Sequence, residues 1–134
     1  MTKLRNKAYF LACKPILNVK DVNASVDYYF NKLGFTKVFS WTDGGFCDYG
    51  KFTFAEVHRG RANIMLSLEE HAEKRVWIYL DLDNMADFEL LHQEFKAHGA
   101  LIVEPPNDKP WHMREMLVKD LDANFMRIGA PFKH

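Results

Sequence analysis

A chain of 134 residues is the size of one domain and buries about two thirds of the surface it exposes when unfolded, enough for a core without staples. Aliphatic and aromatic residues make up 48 % and charged residues 27 %, which excludes a disordered or fibrous chain. Lys plus Arg equals Asp plus Glu at 18 each, so no net field draws the chain to nucleic acid or to an anionic membrane, and neither is expected as a partner.

The first residues, MTKLRNKAYFLACKP, have a basic lead, but the apolar stretch is short and Lys14 and Pro15 interrupt it. Neither a signal peptide nor a spanning helix is expected, and the default location is cytoplasmic. Cys13 and Cys47 stand among apolar or aromatic neighbours and read as buried thiols of a reducing compartment rather than as a disulfide. Residues 9–19 are apolar and β-rich with Pro15 inside, which predicts an edge strand or a strand broken at the proline.

From Val22 the apolar positions Val26, Tyr29, Phe30 and Leu33 recur at helical spacing. Asp21 or Asn23 can cap the start of this helix and Gly34 can supply a left-handed stop. Residues 35–41, 46–58 and 62–68 then read as strands, separated by the hairpin signals Asp43-Gly44-Gly45 and Arg59-Gly60-Arg61. Residues 75–82 form another strand, and Asp83 or Asn84 caps a second helix bearing Met85, Phe88, Leu91 and Phe95, with Gly99 as its stop. Strands over 100–104, 113–119 and 125–128 complete the chain. Both halves run strand, helix, strands, which predicts an internal duplication with modules over about 8–68 and 75–130 inside a single domain.

Two longer runs carry a resemblance. PILNVKDVNASVDYYFNKLGF (residues 15–35) resembles the opening of glyoxalase, bleomycin-resistance and extradiol-dioxygenase modules, in which a strand ending in V-x-D leads to a helix and then L-G-F. PWHMREMLVKDLDANFMRIGAP (residues 110–131) is similar to the bleomycin-resistance pattern P-W-G-M-R-E, strand, D-P-D-G-N turn, strand. The resemblance is to the vicinal oxygen chelate superfamily, in its bleomycin-resistance branch. It implies an α+β fold of two βαβββ modules whose curved mixed sheet encloses a cleft, a homodimer with ligand grooves at the subunit interface, and antibiotic resistance by sequestration without chemistry. The sequence departs from the pattern at His112, where glycine is usual, and at Leu121-Asp122-Ala123-Asn124, where Asn124 is the natural left-handed residue.

Enzymes of this group place four metal ligands on the first and last strand of each module. The matching positions here are Lys14, Met65, Val76 and Arg127, none of which supplies carboxylate or imidazole, so no metal and no other cofactor is expected. Glu56 and His58 share a strand face and either chelate or form a solvated strand end. His71, His92, His98 and His134 read as surface residues. His112, beside Trp111, is either a loop histidine or a donor to the cleft.

Aromatic residues concentrate where the cleft is expected: Phe39, Trp41, Phe46, Tyr49, Phe52, Phe54 and Trp111. Phe10, Phe30, Phe35, Phe88 and Phe95 read as core. Alternation over 52–58 puts Phe52, Phe54, Glu56 and His58 on one face. Aromatic walls with carboxylates suit a flat, partly cationic ligand. If Lys14 and Arg127 both face the cleft, an anionic ligand is equally served, unless Arg127 pairs with Glu115 across neighbouring strands. The expected ligand-binding set is Phe39, Trp41, Phe46, Phe54, Trp111, His112, Glu115 and Arg127, with no catalytic residue and no metal ligand. The expected function is a non-catalytic binder of a small aromatic or heterocyclic molecule. The alternatives are a metal-dependent lyase, isomerase or dioxygenase with displaced ligands, and a dimeric scaffold without ligand.

Overall fold

The computed structural model describes residues 7–71 and 73–132; residues 1–6, with most of the basic lead, and His134 lie outside them. The elements in order are β1 (Ile16–Val19), α1 (Val22–Asn31), β2 (Thr36–Thr42), β3 (Gly45–Phe46), β4 (Phe54–Arg59), β5 (Ala62–Leu68), β6 (Trp77–Asp81), α2 (Met85–His98), β7 (Leu101–Lys109), β8 (Met113–Lys119) and β9 (Phe125–Pro131). They form an α+β fold of two mixed sheets, ordered β1-β5-β4-β2-β3 and β6-β9-β8-β7. In each sheet the first strand runs parallel to the last, Ile16 beside Met65 and Tyr79 beside Arg127, and the other pairings are antiparallel. Apart from the extra two-residue strand β3 at the edge of the first sheet, the two halves therefore share one connectivity.

Local chemistry sets the element ends. The Asp21 carboxylate accepts the Ala24 N–H at 3.0 Å and the Asn84 side chain accepts the Asp87 N–H at 2.8 Å, each capping a helix. Gly34 and Gly99 take φ of 75° and 74°, the left-handed conformation in which the chain turns out of each helix without a Cβ clash. Two-residue turns join β2 to β3 and β4 to β5.

Both helices lie on the same side as one continuous apolar cluster. It joins Val26 and Tyr29 of α1, Phe88, Leu91 and Phe95 of α2, Val57 and Leu66 of the first sheet, and Met116 and Met126 of the second. Ionic and polar contacts lock the same junction. Asp120, only 1 % exposed, accepts hydrogen bonds from the Tyr29 hydroxyl at 3.0 Å, from the Asn124 side chain at 3.1 Å, and from the backbone of Asp122 and Asn124 at 2.9 Å. Burial and the Asp120 charge hold the Tyr29 phenol well above its ordinary pKa, so it stays a donor. Asn124 in turn accepts the Val76 N–H at 3.0 Å, tying the β8–β9 turn to the start of β6. Across the other end, Arg59 donates to both oxygens of Glu94 on α2 and to the Leu33 carbonyl.

Several expectations need correction. Residues 9–15 form no strand; the edge strand begins only after Pro15, and Phe10 stands 91 % exposed rather than in the core. Phe30 is also exposed, because the face of α1 that meets the sheet carries Val22, Val26 and Tyr29 instead. Cys13 is exposed and Cys47 half-buried, so neither is a core thiol. The strand expected over 46–58 is broken between Phe46 and Phe54, and the alternation fails ahead of Phe54: Phe52 turns into the core. In the β8–β9 turn the left-handed residue is Ala123, at φ 60°, not Asn124, whose side chain is occupied with Asp120 and Val76.

Ala123→Gly removes that Cβ penalty and is expected to raise stability by up to about 1 kcal/mol in urea denaturation, the left-handed cost exceeding the extra chain entropy of glycine. Tyr29→Phe deletes one donor to a buried carboxylate and is expected to cost about 1.5–3 kcal/mol in the same measurement.

Candidate functional site

The side of each sheet turned away from the helices is open. On the first sheet, Ala55 and Val57 point into the core, so Phe54, Glu56 and His58 point the other way. Directly paired residues of antiparallel strands share a face, which adds Phe39 and Met65 beside Glu56, and Trp41 beside Phe54. The rings meet. Phe39 stacks on Phe54 with centroids 6.1 Å apart, and Phe46 sets its edge against Phe39 at 5.5 Å and against Trp41 at 4.9 Å. Four of the expected ligand residues thus form one aromatic patch, with Trp41 and Phe46 still 38 % and 73 % exposed. Tyr49 stands apart, exposed.

Beside this patch Glu56 is buried, not solvated as a strand end would be. Its carboxylate accepts from Asn63 at 2.7 Å and pairs with Lys14 at 3.1 Å. Burial pushes its pKa up, but the hydrogen bonds from Asn63 and Lys14 outweigh that and hold it below the ordinary glutamate value. His58 is half-buried, with its Nδ1 3.4 Å from the Gly60 carbonyl oxygen.

The open face of the second sheet is built around Glu115, 2 % exposed. Its Oε2 accepts from the Tyr79 hydroxyl at 2.8 Å and from the Trp111 indole N–H at 3.0 Å. Burial, and then the hydrogen bond and charge of Glu115, raise the Tyr79 pKa, so the phenol remains protonated. Gly129 makes this possible, because a Cβ there would land on the Tyr79 hydroxyl. Arg127 sits 3.7 Å from Glu115 and 3.5 Å from Glu104, with its guanidinium over the Trp77 ring, which itself stacks on Phe125 at 4.6 Å. His112 is exposed at φ 65°, with its N–H bonded to the Lys109 carbonyl; its left-handed backbone is the conformation a glycine would adopt freely. Trp77, Tyr79, Glu104 and Asn63 were missed in the sequence. Alternation across 75–82 carries the signal for the first two, since Ile78 and Leu80 pack on the core.

Of the four metal-ligand positions, Lys14, Met65 and Arg127 do reach the open faces, whereas Val76 packs against the core. A lysine paired to a carboxylate, a thioether and a guanidinium do not suit a Mg, Mn, Fe or Zn centre. Among the described residues no group of three His, Cys, Asp or Glu side chains comes together to hold a metal ion.

Two such halves, βαβββ in the second and the same with the short extra strand β3 in the first, with these open faces, are the vicinal oxygen chelate fold. A family model described as the Glyoxalase/Bleomycin resistance protein/Dioxygenase superfamily matches residues 10–128, and the chain belongs to that superfamily. No functionally curated protein matches it significantly. Similar solved structures include TioX from Micromonospora sp. ML1, at 19 % identity and TM-score 0.71, covering 92 % of this chain and 98 % of that one. The bleomycin-binding protein of Streptomyces verticillus, complexed with copper(II)-bleomycin, is 24 % identical with TM-score 0.70 over the same shares of each chain. A glyoxalase-related enzyme from Clostridium phytofermentans is 18 % identical with TM-score 0.74, covering 95 % of this chain and 99 % of that one. These likenesses are of fold.

The depressed Glu56 pKa fixes a sign. The stabilisation it brings is complete above the unfolded glutamate pKa of about 4.3 and is lost as pH falls through the lower folded value. Glu56→Gln is expected to be less stable than the parent at pH 7 by about 1–2 kcal/mol, a range discounted for the partly exposed Lys14. Urea titrations down to about pH 3 should show the gap closing as the parent carboxylate protonates.

Proposed function

We propose that the protein is a non-catalytic binder that sequesters a small aromatic or heterocyclic molecule of antibiotic type in a cleft formed where the open sheet faces of two copies meet. The observation that carries this reading is the pair of open faces, each presenting aromatic rings beside one buried carboxylate. Flat aromatic walls with a few placed polar groups are what small-molecule sites are made of. The exposed apolar residues of those faces, among them Ile16, Trp41, Phe46, Trp77 and Trp111, favour a homodimer that covers part of them. The replaced metal-ligand positions favour binding without turnover, and the bleomycin-binding relative of the same fold is a protein solved with such a ligand.

Titration with a panel of planar aromatic and heterocyclic compounds should give saturable quenching of tryptophan fluorescence for at least one of them, unchanged by EDTA. Phe46→Ala or Trp41→Ala is expected to weaken that binding about tenfold, the scale of one lost aromatic contact at a binding surface. Light scattering should give the mass of a dimer. Stoichiometric bound metal together with turnover, or a monomer that quenches with nothing in the panel, would sink the reading.

A further inference from the structure

Residues 9–14 belong to no strand and form an arm ahead of β1. Within it Phe10 and Leu11 are 91 % and 94 % exposed, the two most exposed large apolar side chains among the described residues. Adjacent large apolar groups left in water mark a segment that another surface covers.

An open groove of about 910 Å³ runs between the hairpin that joins β4 to β5, the edge strand β6 and α2. Its wall is apolar, built from Leu80, Leu82, Leu91, Phe95 and Ile128, and Leu90 stands at the mouth, 70 % exposed. The charged residues that line it are Arg59 and Arg61 of the hairpin, Asp81 of β6, and Asp87 and Glu94 of α2. Arg59 is bound to Glu94, so Arg61 faces two carboxylates and the rim has one negative charge in excess. The arm and the residues ahead of it carry Lys3, Arg5, Lys7 and Lys14 and no acid, and Lys14 is already matched by Glu56. An apolar pair behind a basic lead thus complements an apolar groove with an acidic rim.

Position decides whose arm fills the groove. Pro15 is still bonded to Met65 and Lys14 to Glu56, so the arm departs from the first open face, at the end of β5 nearer the hairpin. The groove opens beside Tyr79, a residue of the second open face. Within one chain the arm does not enter it, since Phe10 and Leu11 stay exposed. Where the first open face of one copy meets the second of another, residues 9–14, roughly 20 Å when extended, lead from one copy into the groove of the other. A two-fold axis makes that exchange reciprocal and closed.

We infer, resting on the homodimer proposed above, that residues 9–14 of each copy dock in the groove between α2 and β6 of the other. Phe10 and Leu11 cover its apolar wall, and the basic lead lies toward Asp81 and Asp87. Each arm also borders Tyr79, so a second copy completes that side of the cleft.

Sedimentation over a dilution series measures the dimer dissociation constant. Phe10→Ser together with Leu11→Ser should raise it at least about tenfold, and so should Leu90→Asp at the groove mouth. A thermal melt and circular dichroism report that both variants fold. A measurement on the parent sequence stands apart from them: in dimers mixed from isotope-labelled and unlabelled copies, filtered nuclear Overhauser contacts should join the Phe10 ring of one copy to the Leu90 methyls of the other. Contacts confined to one chain, no such contacts, or a folded arm variant that dimerises as tightly as the parent each overturns the arm assignment. So does a small molecule that native mass spectrometry finds retained by the purified parent and lost in Leu90→Asp. The dimer itself outlives those results; a parent chain that stays monomeric overturns both.

Discussion

A carboxylate with almost no solvent, Asp120, holds the two halves of this protein in register. A buried charge is tolerated only when its oxygens are matched, and here four donors converge on it from α1 and from the turn that follows β8. Because one of them is the Tyr29 hydroxyl, the first helix cannot move without stripping a partner from the ion. Because Asn124 is recruited as another, its side-chain oxygen is left to take the Val76 N–H and seat β6 beside β9. The apolar cluster supplies most of the driving force, and this polar hub fixes the geometry in which it is buried.

The helical layer covers one side of each sheet and leaves the other bare. A strand alternates its side chains, so every strand that contributes a core residue must also present its neighbour outward. The buried positions Val57, Met116 and Met126 thereby bring Glu56, Glu115 and Arg127 onto the open faces. Among the described residues the aromatic side chains there have little to cover them, which is the physical basis for reading the faces as binding surfaces. The two faces are also differently prepared: the first has its carboxylate neutralised internally, and the second keeps one oxygen unmet.

Much of the fold was legible in the chain. The helix caps Asp21 and Asn84, the glycines that end each helix turn, and the two-residue hairpins are local devices whose chemistry acts within a few residues. Phe39, Trp41, Phe46 and Phe54 were expected near one another from the cleft that the family resemblance implies, and the structure brings those rings together. What misled was chain distance where the backbone is irregular. Val76 was placed by counting back from Asp83, yet the open face there belongs to Trp77 and Tyr79; Phe52 was assigned by alternation extended past the point where β4 begins. Phe10 and Phe30 were read as core from their places on expected strand and helix faces, yet both stand exposed among the described residues.

Sequence by itself determined the element order and the superfamily, because each depends on residue identity and short-range spacing. It could not determine which charges meet. The Arg59 and Glu94 pair, the sharing of Arg127 between Glu104 and Glu115, and the capture of Tyr79 over Gly129 join residues many positions apart, and only sheet register and helix packing set their distances. The state of the Glu115 carboxylate, hydrogen-bonded at one oxygen and buried without a hydrogen bond at the other, is therefore a product of the tertiary structure: satisfaction of a buried polar atom is a matter of where its neighbours end up.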